Sequence, residues 1–507
     1  MTDPYRTPTI PATELMADRV TSGLDHGSSP WWIERLLRQM EGRRERLEKL
    51  RAYYRGEQDT WRLHSQAARE AFGRTFSGLK ANIAGPIVEA PARRLRVEGF
   101  RIPVEGGATM RDDAEAWRIW QANGMDSRSS IAHAEAIALG ECPVIVDRGT
   151  DDRTPRITVE DPLQVVVERD PRDPRERLAA LKCWNEPDGT RTLILYLPDR
   201  VEWWRGRVGA VAGYRPVSEE SFDLRGVNWT LDSTRSGQPP VPGTVPVILL
   251  VNKPRVDGSG QAEHEAILPL LDLLNKELLD LATTSEFAAF PLRYLLGVDI
   301  DTEPDGPAEN ADGTEQVDSI GRPVRSEALI VSAINRWVKV NDPEAKIGQL
   351  AAADLVPYTT VIGKIIEITA AITSTPYSQL LNEPTSVPRS GEAIKAAERS
   401  LDGKVDGMQT DFGEAWEEVI RLAFLTVGDL ERASTRSETR WKPATSASET
   451  QHADTLVKLV ESGVIDTETA MEMWPFSQEQ ITRILSRQAA AKRAVDATPA
   501  GAVQVAA

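Results

Sequence analysis

Two long helical patterns that flank a short polar loop constrain this chain more than any other feature. The first pattern places Val361, Ile365, Ile368 and Ile372 at steps of four, three and four, which predicts a helix with one apolar face. The second pattern keeps helical spacing for about eight turns, through Ile394, Ala397, Leu401, Val405, Met408, Phe412, Trp416, Val419 and Ala423. Helices of this length usually pack against other chains or traverse a large assembly. No pattern typical of a catalytic centre lies in this segment, so it indicates a structural component rather than an enzyme.

The composition is that of an ordinary globular protein with an acidic balance. A length of 507 residues predicts roughly two to four domains. The formal net charge of −17 disfavours a tight electrostatic grip on nucleic acid. The first residues lack a signal-peptide pattern, and apolar runs such as 247–251 are far too short to span a bilayer, so we expect a soluble chain without a membrane partner. The two cysteines, Cys142 and Cys183, favour a reduced setting, although one buried disulfide stays open.

The order of patterns along the chain predicts an α+β fold. Residues 1–30 are rich in Pro, Thr, Ser and Gly and are expected to form a flexible N-terminal arm. Residues 31–255 combine helices with strands separated by Asp-, Pro- and Gly-rich turns, which predicts one α+β domain with a mostly antiparallel sheet. The predicted helices of this domain cover 31–54, 74–95, 112–121 and 131–139, and its predicted strands are 143–146, 156–159, 164–168, 179–184, 192–197 and 201–204.

The remaining half of the chain is mostly helical. A helix is predicted over 261–287, followed by strands and loops over 291–341 and by a second helix that begins at Asp354. After the polar loop, Ser390 is expected to cap the long helix, in which Gly403, Gly407 and Gly413 offer places to kink. Two short helices, 449–462 and 478–493, complete the pattern.

A search for catalytic and cofactor-binding motifs gives no convincing match. There is no phosphate-binding P-loop, the five histidines are scattered, and two cysteines cannot form a cysteine-rich zinc site. The segment 77–80 matches S-x-x-K, but no partner motif accompanies it, and a plain helix surface is the better interpretation. We therefore expect no catalytic residues, no cofactor and no resident metal.

The acidic run from Asp299 to Asp318 is the one segment that resembles a metal site. It contains eight carboxylates and no basic residue, and counting from Asp301 gives the spacing of a calcium-binding loop. Pro304 and Pro307 stiffen the run, however, and the twelfth position holds the shorter Asp312. A solvated tip is favoured, while a weak cation site remains the alternative. The corresponding alternative function is a divalent-metal-dependent hydrolase or nuclease that uses the carboxylates of 299–318.

Two further groups of residues have more than one interpretation. The tryptophans at 31–32, 117, 120 and 203–204 could stack bases, but their acidic neighbours favour packing in a core or a subunit interface. The basic cluster Arg93, Arg94 and Arg96 is compatible with an intersubunit salt bridge and with phosphate binding.

Several segments, taken in order, resemble the portal proteins of tailed double-stranded DNA phages. The strongest match is Thr373-Ser374-Thr375-Pro376 followed by 390–395 and the long helix. The other matching segments are 50–56, 82–88, 92–100, 120–126, 245–254 and 271–275. Together they cover about residues 36–430, and the segment 258–263 departs from the family's pattern. A non-viral oligomeric scaffold is a further alternative, which only the neighbouring genes would distinguish from a portal protein.

The resemblance implies a portal-like architecture in which each segment has a family counterpart. Residues 31–255 correspond to a mixed wing, 256–290 to the first stem helix, 291–342 to a small clip and 343–373 to the second stem helix. Residues 374–389 correspond to a tunnel loop, 390–430 to a long kinked wing helix, and 431–507 to a helical crown with a frayed tail. The expected hinge of the long helix comprises Ser390, Gly391, Gly403 and Gly407.

The resemblance also implies partners, a location and the residues that face them. The chain would form a ring homo-oligomer, usually a dodecamer, at one vertex of the virion capsid, after assembly in the cytoplasm of the bacterial host. Double-stranded DNA would pass without sequence specificity, and terminase, head-tail adaptor, capsid and scaffolding proteins would bind. The implied DNA-facing residues of the tunnel loop are Thr375, Pro376, Gln379, Asn382, Glu383, Thr385 and Pro388. The implied partner-binding residues of the clip are Asp299, Asp301, Asp305, Arg322, Arg325 and Trp337.

Overall fold

The structure, a computed structural model, divides into two compact units, Met1–Lys442 and Pro443–Ala507. The residues it describes are 24–60, 76, 78–103, 110–151, 153–209, 213–218, 220–289, 293–296, 346–349, 354–381, 391–444, 449–467, 470–471, 474, 481 and 483–488. Residues 1–23 of the expected N-terminal arm lie outside these residues, and Ser29 and Pro30 at its end belong to the first helix. Helices and antiparallel sheets occur together, which confirms the α+β class.

The first unit contains nine described α-helices and fifteen described strands. The helices are α1 (Ser29–Arg55), α2 (Ala84–Ala92), α3 (Ala114–Ala122), α4 (Met125–Leu139), α5 (Leu268–Ala289), α6 (Val356–Thr373), α7 (Tyr377–Leu380), α8 (Gly391–Thr426) and α9 (Leu430–Ser434). The strands are β1 (Val97–Pro103), β2 (Met110–Asp112), β3 (Glu141–Asp147), β4 (Arg156–Val159), β5 (Val165–Arg169), β6 (Arg177–Asn185), β7 (Arg191–Tyr196), β8 (Val201–Val208), β9 (Arg215–Ser218), β10 (Ser221–Leu224), β11 (Val227–Leu231), β12 (Val247–Val251), β13 (Arg293–Leu296), β14 (Lys346–Gln349) and β15 (Glu438–Trp441).

A seven-stranded antiparallel sheet forms the centre of the region 31–255. Its strand order is β5-β6-β7-β8-β11-β10-β9, so neighbouring strands are mostly joined by hairpins. One face buries Leu181, Leu193 and Trp204 against Ile33 and Leu36 of α1. The opposite face packs on the sheet β12-β3-β4, and this second core contains Val165, Val167, Ala180, Ile194, Tyr196, Ile145 and Val247. The predicted antiparallel sheet and the packing role of Trp204 are therefore confirmed.

A third sheet joins residues far apart in the sequence. Its order is β15-β1-β2, and β15 pairs antiparallel with β1 from Val97 opposite Trp441 to Arg101 opposite Glu438. Residues 431–442, which we expected in a crown, thus belong to the first compact unit. The short run 438–441 has too few residues for sequence periodicity to distinguish it from a loop.

The helix predicted over 74–95 is shorter in the described residues. Helix α2 covers Ala84–Ala92, and the side chain of Asn82 accepts a hydrogen bond from the backbone N–H of Gly85 at 3.0 Å. Pro91 lies in the last turn, where it cannot donate a helical hydrogen bond. Arg94 therefore lies in a turn rather than in the helix.

Helices α5 and α6 run antiparallel, with Thr284 near Tyr358 at 3.4 Å between their hydroxyl oxygens. The face of α6 that becomes buried contains Ile365, Ile366, Thr369 and Thr373. The predicted apolar stripe was therefore wrong in part, because Val361, Ile368 and Ile372 are exposed.

The long helix α8 extends as one uninterrupted helix from Gly391 to Thr426. Its predicted apolar stripe is confirmed wherever side chains are described, because Leu401, Val405, Met408, Phe412, Trp416, Val419 and Ala423 are all buried. The helix packs against β3, β12 and β15. It therefore belongs to the core of the first unit.

The second unit contains helix α10 (Glu449–Glu461), which confirms the helix predicted over 449–462. Residues 483–488 are also helical, within the helix predicted over 478–493.

Both cysteines carry free thiols, Cys142 in the core and Cys183 partly buried. Burial raises the pKa of the Cys183 thiol to about 11. Within the described parts of the chain, no helix has the length and apolar character needed to cross a membrane.

Candidate functional site: the anchor of the 374–389 loop

The loop between α6 and α8 begins with a backbone reversal at Ser374. This residue has a φ of 51°, a left-handed conformation that few non-glycine residues adopt. The N–H of Thr375 donates to the carbonyl of Ala370 at 3.1 Å, which closes the last turn of α6. The sequence predicts this end only weakly, because no glycine or asparagine marks it.

The first residues of the loop are held inside the protein. Thr375 and Pro376 are buried, and Leu380 of the single-turn helix α7 is buried as well. Helix α7 packs against α2. Of the residues expected to face DNA, Gln379 has an exposed side chain, whereas Thr375 and Pro376 serve as the root of the loop. Asn382, Glu383, Thr385 and Pro388 lie outside the described residues.

A buried ionic cluster lies directly behind this root, and sequence reasoning missed it. Oε2 of Glu263 is 3.1 Å from Nζ of Lys404, and its Oε1 is 3.0 Å from Nζ of Lys253. Lys404 also donates to the backbone carbonyl of Thr373, the last residue of α6. Nδ2 of Asn252 also donates a hydrogen bond to Oε1 of Glu263, at 3.4 Å. The cluster thus joins the end of β12, the approach to α5, the end of α6 and the middle of α8.

Glu263 and Lys404 are the strongly desolvated charges of this cluster, whereas Lys253 is half-exposed. The carboxylate of Glu263 has no exposed surface, and the Lys404 side chain is 10% exposed. Burial alone would raise the pKa of Glu263, but Lys404 and Lys253 together hold it below its ordinary value. Burial lowers the pKa of Lys404, although the attraction of Glu263 opposes that effect. Glu263 is therefore ionised at neutral pH, and its charge depends on both lysines.

The same junction is fixed to α1 by a second group of contacts. Arg46 makes a two-point ion pair with Glu265, with N–O distances of 2.6 and 2.7 Å. Nε2 of His264 lies 3.0 Å from the carbonyl of Leu50. The chain that leads into α5 is therefore held rigidly on the region 31–255.

The basic cluster at 93–96 is used within the chain. Arg94 pairs with Asp402 and lies 3.7 Å from Glu398, both on α8. Arg93 pairs with Glu89 one turn earlier in α2. Both arginines thus make ion pairs within the chain, while the Arg93 side chain stays mostly exposed, so an intersubunit salt bridge and phosphate binding both remain predictions for this cluster.

The expected hinge and clip residues are only partly described. Gly391 is the first residue of α8, and Gly403 and Gly407 lie inside it, where an added Cβ would meet no atom within 4 Å. Ser390 lies outside the described residues. So do the clip residues Asp299, Asp301, Asp305, Arg322, Arg325 and Trp337.

No group of metal-ligating side chains is formed by the part of the chain that the structure describes. The acidic run 299–318 lies outside that part. Among the described residues, the buried polar cluster offers charge pairing and hydrogen bonds, which suit mechanical anchoring rather than bond-making chemistry.

Comparison with known proteins gives one consistent result over most of the chain. A portal protein of Mycobacterium phage D29 is 29% identical over 430 residues, covering 80% of this chain and 80% of the relative. A portal protein of Mycobacterium phage L5 is 28% identical over 406 residues, covering 77% of this chain and 74% of that relative. The family model for "Phage portal protein, SPP1 Gp6-like" matches residues 33–494. The chain is therefore a member of the SPP1 Gp6-like family of phage portal proteins.

Proposed function

We propose that the chain forms a ring at one vertex of a phage capsid and serves as the conduit for DNA packaging and ejection. The observation that carries this proposal is the family match, which spans residues 33–494 without being limited to one segment. The metal-dependent hydrolase or nuclease considered as the alternative receives no support from the comparisons. The virion is the proposed location, and assembly takes place in the host cytoplasm.

The exposed face of α6 supports self-association. Val361, Ile368 and Ile372 are 43, 41 and 53% exposed in the isolated chain. Steps of seven and four residues place these side chains on one side of the helix, away from the buried Thr369. Apolar side chains that share one exposed side of a helix gain free energy when a partner covers them. A neighbouring copy of the chain would cover it in the ring.

The dimensions of such a ring suit double-stranded DNA. Twelve helices about 10 Å wide, placed side by side, form a ring about 38 Å across its axes and leave roughly 28 Å clear. B-DNA is about 20 Å wide and passes, whereas eight helices would leave only about 15 Å and block it. We therefore propose a dodecamer, with α5 and α6 as its stem helices and 291–342 as its clip.

The charge of the chain suits a wall along which DNA slides. Each lysine or arginine that binds a phosphate must release it before DNA advances, so fewer such contacts mean less drag. The net charge of −17 meets this requirement. The exposed Gln379 at the root of the loop presents a neutral amide to the duplex, in keeping with passage without sequence specificity.

The proposed role requires separate proteins for force and for closure. Portal proteins of this family are structural, and the sequence has no P-loop, so ATP hydrolysis belongs to a terminase that docks on the ring. Head-tail adaptors bind after packaging, and capsid and scaffolding proteins surround the ring during assembly. The clip residues 299, 301, 305, 322, 325 and 337 are the proposed contacts for the motor and the adaptors.

A complementation experiment tests this function. A phage in which the gene is deleted should yield capsids without DNA, and the full-length chain supplied in trans should restore filled, infectious particles. A chain shortened over 375–388 should enter particles yet leave them poorly filled. Normal DNA filling in the absence of the chain would contradict the proposal.

A further inference from the structure

The carbonyl of Thr373 is a distinctive acceptor because it closes α6 immediately before the loop. The last four carbonyls of a helix have no partner inside the helix, and they form its negative end. At this end, Nζ of Lys404 donates to Thr373 O from a different helix, α8. Thirty-one positions along the chain separate the two residues, so the contact reports tertiary structure rather than local capping.

The lysine is itself fixed from behind. Its Nζ lies 3.1 Å from Oε2 of Glu263, and the other oxygen of that carboxylate lies 3.0 Å from Nζ of Lys253. Because the Glu263 carboxylate has no exposed surface, water cannot take the place of a lysine that moves away from it. Lys404 is thus constrained to one position, and that position fixes Thr373.

We propose that Lys404 is a positioning residue, which couples the root of the loop, Ser374–Leu381, to the long helix α8. This inference rests on the proposed portal function and deepens it. A displacement of α8 at Lys404 would be transmitted through the Thr373 carbonyl to Thr375 and onward to Gln379, the exposed side chain of the root. The competing explanation is that burial of Thr375, Pro376 and Leu380 alone orients the root.

Amide hydrogen exchange on the assembled full-length protein separates these explanations. In Lys404→Met, exchange of the Ser374 and Thr375 amides should accelerate by at least about tenfold, while amides of β6 and β7 keep their rates. Lys364→Met is the matched control, because Lys364 is an exposed lysine on α6 that pairs with Glu367 one turn away. The control should leave both amides within about twofold of the wild-type rate. Unchanged exchange in Lys404→Met would overturn the proposal.

A second variant distinguishes the carbonyl contact from the ion pair. Glu263→Gln keeps the hydrogen bond from Lys404 to the Thr373 carbonyl. The Ser374 and Thr375 amides should therefore exchange more slowly in this variant than in Lys404→Met. Lys404→Arg keeps a cationic donor and should restore most of the protection. If Lys404→Arg loosens the root as much as Lys404→Met does, a cationic donor at this position does not orient the root, and the proposal fails.

A measurement on the unmodified protein avoids any dependence on folding of the variants. Acetylation with a small lysine-selective reagent should modify Lys404 at least about tenfold more slowly than Lys364, because Lys404 is buried in the ion pair. Equal rates would contradict the anchoring of Lys404.

A packaging experiment compares the DNA content of particles that carry Lys404→Met with that of particles that carry Lys364→Met. We expect a severalfold loss of DNA only in the particles with Lys404→Met. Failure of the wild-type chain to form rings would reject the portal function, whereas intact rings with unchanged exchange reject only the role of Lys404.

Discussion

The indole Nε1 of Trp416 donates a hydrogen bond of 2.9 Å to Nε2 of His133. Because Nε2 accepts this bond, the imidazole is neutral and carries its proton on Nδ1. The ring also lies parallel to Phe412, with centroids 5.4 Å apart. Trp416 and Phe412 both belong to α8, so a buried, uncharged histidine of α4 is part of what fixes the long helix to the region 31–255.

The buried His133 predicts an acid-sensitive stability. Burial lowers its pKa to about 3 from an ordinary value of 6.5, and the attraction of the imidazole N–H to the backbone carbonyl of Leu95 opposes the shift only in part. As the pH falls below about 6.5, the unfolded chain gains a proton that the folded chain cannot bind, so stability is lost down to about pH 3. At pH 5 the loss amounts to about 2 kcal/mol.

His133→Gln removes this titration and keeps an acceptor for Trp416. Urea unfolding at pH 7 and pH 5 should show that the variant loses about 2 kcal/mol less than the wild type between the two values. Parallel losses in the two proteins would show that His133 is not held neutral in the folded state.

Gly260 should tolerate no side chain, because its backbone lies against that of Gly140. A Cβ at position 260 would lie 1.9 Å from the carbonyl oxygen of Gly140. Since backbone must move to relieve this overlap, Gly260→Ala should lower the free energy of unfolding by about 3 kcal/mol, measured by urea titration. Gly42→Ala is the control: it lies inside α1 with open space around its Cβ and should raise stability by about 0.5–1 kcal/mol. Equal effects of the two substitutions would be incompatible with the packing described.

The glycines of α8 allow the proposed hinge to be tested against simple helix stability. Gly403→Ala and Gly407→Ala add a methyl group where nothing lies within 4 Å, so each should raise the free energy of unfolding by about 1 kcal/mol. If the helix bends at these positions during DNA passage, the stiffer double variant should package DNA more slowly despite its greater stability. Gly42→Ala gains similar stability in α1 and should package normally. Normal packaging by the double variant would remove Gly403 and Gly407 from the hinge.

The exposed stripe of α6 predicts a selective effect on assembly. Ile368→Asp and Ile372→Asp place charges where a neighbouring copy is expected, so native mass spectrometry should find mainly monomers. The melting temperature of the monomer should change by less than about 4 °C, because both side chains are solvent-accessible in the isolated chain. Val208→Asp is the control, since Val208 is an exposed valine on β8, and it should still form rings. Rings formed by the α6 variants would show that the stripe is not the interface.

Sequence periodicity predicted α8 well and α6 poorly for a physical reason. The stripe of α8 from Leu401 to Ala423 packs against its own chain, so the apolar side and the buried side coincide. Helix α6 is apolar on more than one side, and periodicity cannot tell a side that packs within the chain from one expected to pack on another copy. Val361, Ile368 and Ile372 were therefore assigned to the same face as Ile365, which alone of the four is buried.

The candidate site was predictable in position and not in its contacts. The loop after Thr373 follows from the break between two helical patterns and from the family resemblance. The pairing of Lys404 with Glu263 joins residues separated by 141 positions, and no spacing rule relates such residues. The position of Lys404 beside Leu401 and Val405, two members of the apolar stripe of the long helix, is a signal that could have indicated a buried ion pair.

Electron microscopy of the purified full-length protein, combined with native mass spectrometry, tests whether the chain assembles as a portal. Twelve copies of the 55.9 kDa chain give a particle of about 670 kDa. We expect that mass, together with a ring whose axial channel is wider than the roughly 20 Å of B-DNA. A protein that stays monomeric under all assembly conditions, or a ring with a channel too narrow for the duplex, would contradict the proposed function.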